Sequence, residues 1–205
     1  MDYRIKKKRL LILITAAAMA AAALWYTGIF GLLFNGISYI ANDTKTYTQA
    51  NSQIVPGQYE LTINLADLDS NIGKELYNDG SNRIYVSWID NTGQVSTGGY
   101  RIGFRSCGEY SLDGAVLISG VAHKALDNQS FTSDMSAKMT GVYNGKTYNC
   151  GVYGTSGLNY KDGDDFSFYL FPGDAYNNGE VTLEEKGDIR LTVTNLYKNV
   201  WTKNK

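Results

Sequence analysis

The sequence is poor in the residues on which many catalytic and metal sites depend. It has one histidine, two cysteines and two prolines among 205 residues. A zinc site needs several closely spaced nitrogen, sulfur or carboxylate ligands, and His123 has none beside it. A Gly-x-Ser-x-Gly elbow, a His-Glu-x-x-His helix and a phosphate-binding loop are also missing. These absences predict a protein that is not an enzyme, has no cofactor or metal, and carries His123 in a surface loop.

Positive charge is scarce outside the N-terminus. Residues 1–9 hold five basic side chains and one acidic one, which leaves 14 basic and 19 acidic residues in the remainder. Nucleic-acid binding needs a basic patch, so we predict no nucleic-acid partner. The basic residues 1–9 are instead predicted to form a cytoplasmic segment, because positive charge flanks a membrane span on its inner side.

A long run without charge follows. No charged residue occurs from Leu10 to Phe34. A helix of that length is about 37 Å long, which is enough to cross a hydrocarbon core of about 30 Å. We therefore predict a transmembrane signal-anchor helix over residues 10–34, with the membrane as partner and the C-terminal domain outside the cell membrane.

A cleaved signal peptide is the alternative reading of the N-terminus. The basic start is suitable, and Ala18-Met19-Ala20 resembles a small-residue cleavage site. Cleavage would make the protein secreted. The apolar stretch continues well beyond these alanines, which favours a retained anchor.

Alternation of apolar and polar residues dominates the rest of the chain and is typical of β-strands. Residues 35–54 are predicted to be a linker, and Pro56-Gly57 marks the start of the folded domain, 55–205. The alternation places Trp88 with Ile84 and Val86 on a buried strand face. The strands are predicted at Tyr59–Leu65, Ile84–Trp88, Tyr100–Arg105, Val116–Ile118, Phe166–Phe171 and Ile189–Thr194.

Turn signals separate these strands. Asn144-Gly145 is the best hairpin candidate, because a type I′ turn needs positive φ at both central residues. Short strands, frequent turns and 22 glycines predict an all-β, antiparallel β-sandwich or jelly-roll-like domain.

The two cysteines, Cys107 and Cys150, are predicted to form a disulfide. Both lie in the presumed extracytoplasmic part, where thiols oxidise. Closing this loop would stabilise the domain by roughly 4 kcal/mol. Two free thiols are the main alternative, and a catalytic cysteine using His123 as its base is a weaker one.

Two acidic stretches, Asp67–Asn71 and Asp162–Asp165, offer oxygen ligands of the kind that calcium takes. Neither stretch ends in the glutamate of an EF-hand loop, so solvated turns are the preferred interpretation.

Aromatic residues are abundant and include 16 tyrosines. Exposed aromatic rings on a sheet can stack on sugars, although strands also favour these residues for packing alone. The candidates for ligand stacking are Tyr85, Trp88, Tyr100, Tyr110, Tyr148, Tyr153 and Tyr169.

A short segment resembles a known type of module. Val55-Pro56-Gly57-Gln58-Tyr59, followed by Leu61-Thr62, resembles the opening of small Gram-positive surface modules. No functional residue carries over from this resemblance. Together, these patterns predict a membrane-anchored, extracytoplasmic binding or assembly module of a bacterial envelope, with a glycan or an envelope protein as partner. A carbohydrate-active jelly-roll enzyme and a subunit of an envelope machine or filament are the alternatives.

Overall fold

The computed structural model describes residues 2–126 and 130–204, with side chains from Lys7 onward. Four helices are present in this part: α1 Asp2–Tyr26, α2 Ile29–Asn35, α3 Ile37–Asn42 and α4 Gly173–Asn177. The strands are β1 Tyr47–Gln49, β2 Gln53–Ile54, β3 Gln58–Asn64, β4 Glu75–Asn78, β5 Arg83–Asn91, β6 Tyr100–Cys107, β7 Glu109–Ser111, β8 Gly114–Ser119, β9 Val121–Leu126, β10 Ser130–Met135, β11 Lys138–Tyr143, β12 Lys146–Cys150, β13 Val152–Thr155, β14 Gly163–Tyr169, β15 Asp188–Thr194 and β16 Tyr197–Lys203.

Most of the chain forms antiparallel β-sheets. The first sheet has the order β1-β16-β8-β7, with β2 also paired to β16. The second sheet has the order β12-β11-β15-β3, and the third has the order β13-β14-β6-β5-β4. Strands β9 and β10 pair with each other as a separate hairpin.

The main hydrophobic core contains side chains from both the second and the third sheet. Ile189 and Leu191 of the second sheet are completely buried, as are Ile102 and Phe104 of the third. These residues alternate along their strands, so each strand contributes every second side chain to the core. The local alternation in the sequence therefore correctly predicted these strands.

The predicted hairpin at Asn144-Gly145 is confirmed. Strands β11 and β12 pair so that Tyr143 faces Lys146 across the turn. Asn144 has φ of 47° and Gly145 has φ of 75°, as a type I′ turn requires.

A smaller hydrophobic cluster joins the N-terminal helices to the first sheet. Ile37, Ile40 and Ala41 of α3 are buried in it together with Leu117 and Trp201. The segment predicted as a linker, 35–54, is thus folded onto the domain: α3 packs against it, and β1 and β2 pair with β16.

The long N-terminal helix is shorter than predicted. It ends at Tyr26 instead of continuing to Phe34, because Gly28 adopts the left-handed conformation with φ of 79°. Glycine at such a position is a common helix terminator. The apolar helix that is long enough to cross a membrane is therefore Lys7–Tyr26, with 20 residues.

Candidate functional site

The outer surface of the third sheet carries a cluster of aromatic and charged side chains. We call the side chains of Trp88, Asp90, Arg101, Tyr153 and Tyr169 the aromatic face. Asp90 and Arg101 are direct partners across β5 and β6, and Tyr169 is the partner of Arg101 on β14. Strand pairing thus brings together residues that lie far apart in the sequence.

Trp88 reaches this surface through a β-bulge. The pairing of β5 with β6 shifts between Val86, which faces Phe104, and Trp88, which faces Gly103. The bulge reverses the alternation, so Trp88 points away from Ile84 and Val86. The prediction that Trp88 belongs to the core is therefore wrong, and a β-bulge commonly re-aims a side chain in this way.

The bulge has an energetic cost. Within the described part of the chain, the Ser87 hydroxyl is buried and has no hydrogen-bond partner. An unsatisfied buried hydroxyl costs about 1–3 kcal/mol. The bulge therefore leaves Trp88 half-buried on the outer surface of the third sheet.

Gly103 makes room for the Trp88 indole. A Cβ atom at Gly103 would lie only 2.1 Å from Trp88 Nε1, so no larger residue fits without moving the ring. The Tyr153 ring meets the indole edge-on, with 6.0 Å between the ring centroids. Tyr153 contacts Tyr169 in the same manner at 5.3 Å.

Arg101 is the polar centre of the aromatic face. Its guanidinium lies 4.6 Å from the centroid of the Tyr153 ring and 5.8 Å from that of Trp88. Arg101 Nε also donates to Asp90 Oδ1 at 2.9 Å. The hydrogen bond to Asp90 raises the pKa of Arg101, and the pair holds donors and acceptors in place beside the rings.

A cavity of 320 Å³ borders this surface. Tyr169 forms one of its walls, and Ser96 and Asn149 supply polar groups to its lining. Small-molecule sites often have this size and combine aromatic walls with a few polar groups.

The aromatic residues singled out in the sequence divide between surface and core. Tyr153 is 45% exposed, whereas Tyr100 and Tyr148 are buried in the main core. Tyr110 is half-buried against the smaller cluster. Tyr85 lies on the outer surface of the third sheet, where Arg83 stacks over its ring at 4.5 Å.

Arg101 and Asp90 were missing from the sequence-based candidates. The alternation of Tyr100, Ile102 and Phe104 with Arg101 does contain a signal, since it places Arg101 on the outer face of β6. Arg101 could be recognised as part of a site only from the strand pairing, which places Asp90 opposite Arg101.

His123 is buried, which corrects its predicted place in a surface loop. It lies in β9 and is completely inaccessible to solvent. Its Nε2 is 2.7 Å from Asp164 Oδ2, and its Nδ1 is 2.9 Å from Ser133 Oγ. Ser119 Oγ donates to the Asp164 carboxylate at 2.7 Å.

This group contains the residue types of a Ser–His–Asp triad, and its members are joined in one hydrogen-bonded network. Asp164 and His123 are both completely buried, and Ser133, at the other imidazole nitrogen, is half-buried. Ser119 donates a hydrogen bond to the Asp164 carboxylate as its second partner. A further hydrogen bond, from Ser106 Oγ to Ser119 Oγ, extends the network into the core. A buried polar network of this kind is stable when all of its members are satisfied.

The acidic stretches do not converge on one point. Asp164 is held by His123 and Ser119, whereas Asp162 forms an ion pair with Arg105. In the other stretch, the buried Asn71 amide donates to the carbonyl of Asn64 at 2.8 Å and supports a local turn. Among the described residues, no group of three or more histidine, cysteine or acidic side chains could hold a metal ion.

The predicted disulfide is not formed, and both thiols are free. Cys107 pairs with Gly163 at the start of β14, while Cys150 Sγ contacts the carbonyl of Leu170 just beyond its end, at 3.3 Å. Seven residues of extended strand separate these points by about 23 Å. A disulfide needs Cα atoms within about 7 Å.

Comparison of the chain with protein-family models, curated proteins and solved structures found no match.

Proposed function

We propose that this chain is a membrane-anchored, non-catalytic module of a bacterial cell envelope that binds a glycan through the aromatic face. The single observation that carries the proposal is the arrangement of Trp88, Tyr153 and Tyr169 around the Arg101–Asp90 pair. The apolar faces of sugar rings pack on aromatic side chains. The charged pair beside the rings supplies hydrogen-bond partners for hydroxyl groups.

The anchor part of the proposal rests on α1. This helix has 20 residues from Lys7 to Tyr26, uncharged from Leu10 onward, and reaches about 30 Å, the thickness of a hydrocarbon core. Their side chains are exposed, as lipid-facing side chains must be. The basic residues up to Arg9, at the start of the helix, favour an orientation with the β-domain outside.

The β-domain is proposed to be a β-sandwich of the second and third sheets. A common core between the two sheets supports this arrangement. It leaves the outer surface of the third sheet, with the aromatic face, available to a ligand.

Binding is tested with the full chain in lipid nanodiscs against purified envelope polysaccharides and peptidoglycan. We expect at least one glycan to bind, and Trp88→Ala to weaken that binding at least tenfold, which corresponds to about 1.4 kcal/mol. Binding to envelope proteins alone, with no affinity for any glycan, would contradict the proposed ligand class. Turnover of a bound glycan would contradict a non-catalytic role.

Two glycine variants distinguish binding at a specific site from non-specific binding to exposed aromatic rings. Gly103→Ala places a methyl group 2.1 Å from Trp88 Nε1 and is expected to weaken binding by displacing the indole. Gly154→Ala is the matched control on β13 of the same sheet, where the nearest atom, Ser167 Oγ, is 4.0 Å from the added carbon. Equal binding by both variants would show that the indole position is unimportant.

A further inference from the structure

The segment between the long helix and the β-domain forms a second apolar element. Only two residues separate helix α2 from the end of α1, and no charged residue occurs between Arg9 and Asp43. Leu33 and Phe34 of α2 are 57% and 65% exposed. Large apolar side chains with such exposure in a folded protein indicate an interaction surface.

This surface is continuous with the end of the proposed membrane span. Trp25 and Tyr26, the last residues of α1, are 77% and 94% exposed. Tryptophan and tyrosine are enriched at the boundary between lipid and water. The α1 end therefore marks the level of that boundary, and α2 follows it directly.

Close contacts hold α2 in a defined orientation. The Tyr39 ring of α3 packs on α2 so tightly that a Cβ atom at Gly31 would lie 2.4 Å from it. Helix α3 is in turn fixed to the β-domain, because Ile37 N donates to the Lys161 carbonyl at 2.8 Å and the Ile37 side chain is buried. Gly36, with φ of 55°, permits this close approach to Lys161.

We propose that α2 lies in the outer lipid–water interface, with Leu33 and Phe34 inserted among the lipids, and that α3 thereby holds the β-domain directly at the membrane surface. This inference rests on the proposed function in one respect, namely that α1 spans the membrane. Because α2 has no charged residue, apolar burial drives its contact with lipid.

A cleft at the bend between α1 and α2 supports a lipid as the occupant. Its volume is 440 Å³, and the rings of Trp25, Phe30, Phe34 and Tyr39 contribute to its lining. Phe30 and Phe34 stack with 6.2 Å between their centroids. An aromatic, uncharged cleft at this level suits the upper part of an acyl chain.

Spin labels test the position of α2 in the full chain, reconstituted in lipid nanodiscs. Single cysteines carry the label at Leu33→Cys and Phe34→Cys, in a Cys107→Ser background. Cys150 stays unlabelled because it is buried and its pKa is raised to about 12. Leu13→Cys serves as the control inside the span and Lys138→Cys as the control in water, since Lys138 is exposed on β11.

Collisions with oxygen, which concentrates in lipid, are compared with collisions with a water-soluble nickel chelate. We expect the oxygen-to-nickel ratio at positions 33 and 34 to exceed that at position 138 several-fold and to remain below that at position 13. Water-like values at 33 and 34 with a lipid value at 13 would overturn the inference alone. Water-like values at position 13 as well would overturn the anchor and, with it, the proposed function.

A third result identifies a different occupant. Labels at 33 and 34 that are protected from both oxygen and nickel would show that protein covers α2, and spin–spin broadening would identify a second copy of the chain. Either finding would overturn insertion among lipids.

Discussion

Removal of the Asp164 carboxylate is expected to destabilise the β-domain strongly. The carboxylate accepts a hydrogen bond from Ser119 and lies 2.7 Å from His123 Nε2, and all three residues are completely buried. Asp164→Ala would leave a hydroxyl and a ring nitrogen unpaired in the interior, at about 1–3 kcal/mol each. Because the variant removes one partner of a buried polar pair, we expect the free energy of unfolding to fall by about 3–5 kcal/mol in total.

Asp164→Asn is expected to cost much less. The Asn oxygen can accept from Ser119, and its amide group can donate to His123 Nε2. Histidine permits this because its proton can move to Nδ1, which then donates to Ser133 Oγ. Every polar group thus keeps a partner, and the loss should stay below about 1.5 kcal/mol.

Thermal unfolding of the full chain in detergent, followed by near-ultraviolet circular dichroism, measures the difference. For a chain of this size, 3–5 kcal/mol corresponds to roughly 6–20 °C in Tm. Asp134→Ala is the control, since Asp134 is exposed and lies 3.7 Å from Lys124. If Asp164→Ala melts like Asp134→Ala, the network does not stabilise the fold. If Asp164→Asn melts like Asp164→Ala, the negative charge is essential and the hydrogen-bond argument is refuted.

Two further predictions concern the thiols and the tyrosines. In denaturant without a reductant, alkylation and mass spectrometry should count two free thiols, and a count of zero would show that the disulfide forms. In the native chain Cys107 should react first, because burial raises the pKa of Cys150 to about 12. The pKa of Tyr77 is raised from 10.0 to about 12, mainly by burial and by its hydrogen bond to Asp79. The stability that the protonated Tyr77 hydroxyl contributes is complete below pH 10 and is lost as the pH rises towards 12. In alkaline denaturation curves, Tyr77→Phe should therefore lessen the fall in the free energy of unfolding between pH 10 and pH 12. An unchanged slope would contradict this linkage.

The strands were predictable because their signal is local. Alternation along Ile189–Val193 or Tyr100–Phe104 depends only on which side chains face the core. The turn at Asn144-Gly145 was predictable for the same reason, since these two residues readily adopt positive φ. The N-terminal apolar helix was predictable from its missing charges, although the residue at which it ends was not.

The sequence-based predictions were wrong where contacts between distant parts of the chain determine the position of a residue. The bulge at Ser87 has no distinct residue pattern, yet it moves Trp88 from the core to the surface. His123 has small and charged neighbours in the sequence, and only the fold provides Asp164 as its partner, 41 residues away. The cysteines suggested a pair by number and compartment, but strand order places them at opposite ends of β14.

The sequence by itself determined that an apolar N-terminal helix precedes a mainly antiparallel β-domain, because charge distribution and alternation act over a few neighbouring residues. Only the tertiary structure decided which side chains meet: the aromatic face around Arg101, the buried network around Asp164 and the packing of residues 37–54 onto the domain. The physical reason is that strand register and the bulge set these contacts, and both depend on hydrogen bonds between segments far apart in the chain.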